Sequence, residues 1–196
     1  MPRAVARDHD AKREAILKGA ARVFAREGFA RASMAQVAEE CGVSKANLYH
    51  YHSGKDALLF DILDSYLSAL RDRICGLDLP EAPRKALITV LTEILLAYDG
   101  MDDEHRIQTE GMAALPPEQQ AVLKGYQRDL VRRMEDVLKM AAPDLEGIPL
   151  REATMSVFGM LNWFYMWSPG ADVIARHRYA HTVAALTLGG VRRLSD

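Results

Sequence analysis

Cysteine is nearly absent: Cys41 and Cys75 are the only two in 196 residues. Two are too few for a disulfide framework or a metal knuckle, and both read as reduced, buried side chains. No apolar run approaches the length of a bilayer span, and Met1-Pro2-Arg3 does not open a signal peptide, so no membrane role is expected and the expected location is the cytoplasm. Glycine and proline are modest, 13 and 8, beside a hydrophobic content of 49%, which argues against disorder. Strand-type alternation and any repeat period are both lacking. There is no glycine-rich phosphate loop, nucleophile elbow or separated acid pair. Nothing in the chain requires catalysis, and neither a cofactor nor a metal is expected.

What is present is unevenly charged. Residues 1–55 hold ten Lys/Arg against six acids, a net +4, while the remainder holds 15 against 21, a net −6. A basic head on an acidic body suits a polyanion-binding module on a regulatory body. Within the head, the stretch Ser33 to Lys55 organises the chain. Ser33 reads as an N-cap with Gln36 at capping-box spacing, Gly42 as the left-handed residue that ends the helix, and Ser44 as a second N-cap. The next helix carries Lys45, Asn47, Tyr49, His50 and Tyr51, with only Ala46 and Leu48 plainly apolar. So little apolar surface cannot make an ordinary core helix. It suits a helix held by its neighbours that offers polar and aromatic groups outward, the helix-turn-helix arrangement.

These residues resemble the DNA-binding domain of the TetR family of one-component repressors. The run Val43, Ser44, Lys45, Asn47, Leu48, Tyr49, two further positions, an aromatic and then Lys55 opening the fourth helix carries the likeness, which extends over roughly Ala11 to Leu67. One position departs: His52 stands where the family most often has Phe, a residue that packs inward. The resemblance implies an operator-binding head, with Ser33, Ser44, Tyr49 and Lys55 chiefly on phosphates and Lys45, Asn47, His50 and Tyr51 toward base edges or the groove wall.

Helical periodicity runs along the rest of the chain. Arg3 to Asp10 reads as a polar, frayed tail, with a basic arm on the DNA backbone as the alternative. Helices are expected over Ala11–Glu27, near Asp56–Ile74, Arg84–Tyr98, Asp102–Ala113, Pro117 to about Met140, Leu150–Trp167 and Asp172–Leu194. With the two of the helix-turn-helix this makes an all-α chain of about nine helices. It divides into a three-helix DNA-binding domain, 1–55, and a helical ligand-binding and dimerisation domain, 56–196.

In the body, Phe158 to Trp167 is rich in large side chains and holds both tryptophans. Asn162 sits among apolar neighbours, and a buried amide must find hydrogen bonds: a ligand group or a carbonyl of the chain itself would serve. Seven of nine methionines lie beyond residue 100, which suits an adaptable apolar cavity as well as an ordinary core. The segments Gly159–Trp163 with Trp167 and its Pro-Gly turn, Pro2–Asp8 and Ala114–Glu118 resemble TetR-type regulators that respond to acyl-CoA thioesters, nearest the repressors of phenylacetate catabolism, whose inducer is phenylacetyl-CoA. The candidate inducer contacts are Tyr66, Met101, Gln108, Met112, Arg128, Arg132, Phe158, Asn162, Trp163, Met166 and Trp167. The two arginines would meet the phosphates, or else form a solvated face with Arg133.

The resemblance also implies a homodimer built on the last two helices, where Met155, Ala180, Ala184 and Leu188 are the candidate contacts. His177 and His181 have the i,i+4 spacing of a metal pair but lack further ligands, so helix packing is the plainer reading. The reading is a dimeric repressor on a palindromic operator, released by an acyl-CoA. The rival is a multidrug-responsive repressor of the same fold, with the acids Asp99 and Asp102–Glu104 attracting cationic compounds.

Overall fold

A computed structural model describes the backbone of residues 2–191 and the side chains of residues 11–190. Among the described residues the fold is all-α. Nine helices exceed a single turn: α1 (Pro2–Glu27), α2 (Met34–Glu40), α3 (Lys45–Tyr51), α4 (Lys55–Cys75), α5 (Pro83–Ala97), α6 (Asp102–Gly111), α7 (Pro117–Ala141), α8 (Gly147–Asn162) and α10 (Val173–Val191). A 3-10 turn at Met112–Ala114 and the one-turn helix α9 (Phe164–Trp167) complete the set.

Three boundaries differ from those read in the sequence. Helix α1 begins at Pro2, so the polar segment expected to fray is helical; proline is tolerated there because the first N–H groups of a helix have no partner within it. Helix α8 begins at Gly147 and keeps Pro149 in its first turn for the same reason. The single helix expected over Leu150–Trp167 is two, α8 and α9, which meet at Trp163. At this break the Tyr179 hydroxyl donates to the Met160 carbonyl at 3.1 Å.

The chain packs as two compact units. One comprises Met1–Leu67 and Met101–Leu123, the other Ser68–Gly100 and Lys124–Asp196. In the first, Ile16, Ala20, Val23 and Phe24 of α1 are buried, as are Val37, Leu48, Leu58, Leu59 and Ile62. Helix α6 packs on α1 here. The Tyr66 hydroxyl of α4 lies 3.1 Å from His105 Nδ1 of α6 in a buried polar contact.

In the second unit, Leu87, Leu91 and Ile94 of α5 join Met134, Val137 and Leu138 of α7, Val157 and Leu161 of α8, and Ala180, Val183 and Ala184 of α10 in one apolar core. Arg176 is buried inside it. Its guanidinium donates to the carbonyls of Ala171 and Leu95 and to Asp99 Oδ1, at 3.2, 2.9 and 2.9 Å. A buried guanidinium is tolerable only when its donors are used in this way. It fastens the start of α10 to the end of α5.

Candidate nucleic-acid interface and ligand-sensing residues

The head is assembled from its caps. Ser33 Oγ accepts from the Gln36 N–H, and the Gln36 side chain accepts from the Ser33 N–H at 2.9 Å, a complete capping box. Helix α2 ends in a Schellman turn: the N–H groups of Val43 and Gly42 donate to the carbonyls of Ala38 and Glu39, with Gly42 at φ +63°. A positive φ is strained for any residue with a Cβ. Ser44 Oγ then caps α3 through the Asn47 N–H at 3.1 Å. Across the pair, Glu40 takes Arg22 on one oxygen (2.8 Å) and Arg26 on the other (3.3 Å). The Arg22 hydrogen bond, then that of Arg26, holds this carboxyl below its usual range. Gly19 of α1 lies against Cys41 at the end of α2, where a Cβ would come within 2.4 Å of Sγ.

Helix α3 buries one side chain, Leu48. Lys45, Ala46, Asn47, Tyr49 and His50 are exposed and Tyr51 is half-buried. Ser33 and Ser44 are exposed as well. The outward display read from the sequence is therefore the geometry of this helix. Lys55 is placed differently from the rest. Its ammonium turns inward, donating to the carbonyls of Phe29, Ala30 and Ala32 at 2.8, 3.2 and 3.1 Å, and it sits 4.6 Å from the centre of the Phe29 ring. All three of its donors hold the turn that leads into Ser33, which leaves none for a phosphate. His52 ends α3 and is 3% exposed. Its Nδ1 lies 3.1 Å from Asp61 Oδ2, an oxygen that also takes Arg13 Nη2 at 3.1 Å.

The candidate inducer contacts fall in both units. In the first unit Tyr66 is buried beside His105, while Met101, Gln108 and Met112 are half-buried. Glu104, next to His105, is buried, and burial raises its carboxyl above the usual range. In the second unit Phe158 belongs to the core. Asn162 accepts from the Tyr98 hydroxyl at 2.8 Å, so its amide oxygen is satisfied within the chain. Burial pushes the Tyr98 phenol well above its usual range, which keeps it a donor.

Trp163, Met166 and Trp167 are exposed. Trp167 also packs edge-on against Phe164 and Tyr179, whose rings stack at 4.6 Å. Arg128 and Arg132 are exposed on α7. Asp129 lies 3.6 Å from Arg132 and 3.8 Å from Arg71. Arg71 rests over the Tyr126 ring at 5.0 Å. Sequence reasoning missed Arg71 and Arg176, because each meets its partners only once distant helices are side by side.

Of the dimer candidates, Met155 is exposed, whereas Ala180 and Ala184 are fully buried in the chain's own core and Leu188 packs against it. Ile174 and Leu186 of α10 are exposed apolar residues as well. His177 and His181 are exposed on the same helix. Cys41 is half-buried, but Cys75 is exposed rather than buried. No helix among the described residues is long and apolar enough to cross a membrane.

The profile of bacterial regulatory proteins of the tetR family matches residues 16–62, and that of the tetracyclin repressor-like C-terminal domain matches residues 80–191. A TetR-family transcriptional regulator of Bordetella parapertussis superposes with a TM-score of 0.81 at 30% identity, over 91% of this chain and 94% of that one. AibR, solved with isovaleryl coenzyme A and operator DNA, gives 0.72 at 23% identity over 89% and 97%. FadR of Bacillus subtilis, solved with stearoyl-CoA, gives 0.63 at 16% over 90% and 98%. Among curated relatives, the HTH-type regulator YerO of Bacillus subtilis is 33% identical over 79 residues, 39% of this chain and 27% of that protein. The chain spans a quarter to a half of the length of the first such relatives. With both profiles matched in order, and the second alone covering more than half of its length, this chain belongs to the tetR family of bacterial transcriptional regulators.

Proposed function

We propose that the protein is a ligand-responsive repressor that binds a palindromic operator as a homodimer and is released by an acyl-CoA thioester, phenylacetyl-CoA first among the candidates. The observation that carries the DNA-binding part is α3: seven residues, capped by Ser44 and anchored by Leu48, with Lys45, Asn47, Tyr49 and His50 all directed to solvent. A helix so placed fits a major groove. In this reading residues 1–55 bind DNA and residues 56–196 bind ligand and partner. Ser33, Ser44 and Tyr49 meet phosphates, and Lys45, Asn47, His50 and Tyr51 face the bases. Lys55 supports from behind.

Dimerisation is supported by α8 and α10. Met155, Ile174 and Leu186 are exposed on helices whose other sides are already buried. Large apolar side chains left exposed on a packed helix mark a surface that a partner can cover.

The thioester part draws on two folds alike to this one whose structures hold CoA esters, AibR and FadR. It draws also on the guanidiniums of Arg71 and Arg132 on either side of Asp129, with Arg128 one turn before Arg132. Arginines gathered in one place are suited to a phosphate. The rival, a cationic drug, is favoured by buried Glu104 beside the acids Asp102 and Asp103.

Fluorescence anisotropy of labelled DNA from upstream of the protein's own gene tests both. Protein is titrated in, then phenylacetyl-CoA, phenylacetate, a long-chain acyl-CoA or a cationic dye is added. Release by phenylacetyl-CoA alone is the expected result. Release by the dye alone selects the rival, and binding without release by any of the four discards the thioester.

A further inference from the structure

Three elements of the head meet at one atom. Asp61 Oδ2 on α4 is approached by Arg13 Nη2 of α1 and by His52 Nδ1 at the end of α3, each at 3.1 Å. The His52 approach is within ion-pair range, and both ring nitrogens are buried without a hydrogen-bond partner. Such an imidazole is a poor way to fill an apolar pocket, since an unsatisfied buried nitrogen is costly. A phenyl ring would fill it without that penalty. What the imidazole adds is direction: it ties the end of α3 to a specific point on α4.

The tie matters because α3 has little else. Within it only Leu48 is buried. One apolar anchor fixes the helix in place but not its rotation about that anchor. His52 adjoins its last residue, donates its own N–H to the Leu48 carbonyl at 3.0 Å, and carries its side chain back beneath the helix to Asp61. Two anchors, at the middle and at the end, define an orientation. Asp61 is itself gripped from α1 by Arg13, so the second anchor does not swing freely.

We infer that His52 is a positioning residue for DNA reading, setting the angle of α3 through Asp61 and Arg13. This rests on the reading that α3 enters the groove.

The test compares specific with non-specific affinity, because a loss of folded protein lowers both alike and leaves their ratio unchanged. The specific probe is a duplex that the wild-type protein selects from random sequence; the non-specific probe is poly(dI-dC). His52→Phe, Asp61→Asn and the double variant are measured at one salt concentration. We expect each single variant to lower the ratio about tenfold and the double variant to lower it no further, since contacting residues are not additive. Non-specific affinity, which comes from phosphate contacts, stays level. A ratio within twofold of wild type in His52→Phe, or losses that multiply in the double variant, overturns the inference. Should His52→Phe fail to fold by circular dichroism, Asp61→Asn and Arg13→Gln decide it by the same ratio. A wild-type protein that selects no sequence overturns the DNA-reading proposal and this inference with it. Selection of a sequence together with an unmoved ratio in the variants sinks the inference alone.

Discussion

Lys55 shows how a residue's surroundings can redirect its charge. A lysine at the start of a helix beside a DNA-reading segment suggests a phosphate contact. Here three backbone carbonyls and the face of Phe29 take the ammonium instead. Lys55→Met should therefore weaken operator binding through the turn it holds. The slope of log affinity against log salt should stay as in wild type, where loss of a phosphate contact lowers it by about 1. Hydrogen exchange over residues 28–33 should rise in the same variant. Asp61 gives a second residue-scale expectation. His52, then Arg13, holds its carboxyl below the usual range. A depressed folded-state pKa stabilises the fold above the unfolded value, about 3.9, and that stabilisation is lost as pH falls through the folded value. The stability gap between wild type and Asp61→Asn should be present at pH 6 and close as the solution is taken below pH 4, as urea titrations across that range would read.

At the scale of elements, short helices depend on their ends. Helix α2 stops because Gly42 adopts φ +63°, which costs an L-residue roughly 1–2 kcal/mol. Gly42→Ala should lower stability by about that much. Nothing lies within 4 Å of the added Cβ, so a smaller loss would mean the turn re-forms without its left-handed residue. The contact of α5 with α10 rests on Arg176 as well as on apolar packing. Arg176→Met removes one hydrogen bond to a carboxylate and two to carbonyls, and leaves Leu95 O inside the core. A loss of about 2–4 kcal/mol is expected from hydrogen bonds of this kind. Thermal unfolding measures it, and an unchanged midpoint would show that apolar packing alone joins the two helices.

For the whole molecule, the question is what covers the outer sides of α8 and α10. Met155 is 49% and Leu186 62% exposed. Glutamate at both positions should give a monomer by sedimentation while leaving the helical content intact. A dimer that survives both changes would place the interface elsewhere. Such a monomer should also lose operator affinity steeply, because a palindrome is read by two linked heads.

The helix-turn-helix was legible in the chain because its signals are local. Ser33 with Gln36, Gly42 and Ser44 each act on backbone within a few residues, and the shortage of apolar residues in α3 marks a helix that faces outward whatever surrounds it. The all-α class was legible for the same reason, from helical spacing that runs the length of the chain. The break at Trp163 was not, since Tyr179, on another helix, takes the Met160 carbonyl there. Nor were the directions of side chains. Lys55 turned inward, Ala180 and Ala184 went to the core rather than to a partner, Asn162 found Tyr98, and Asp61 gathered His52 and Arg13 at one oxygen. Caps and periodicity are settled by neighbours in sequence. Which groups a charge or an amide meets is settled by residues 26, 48 or 64 positions away, and only the packed helices bring those together.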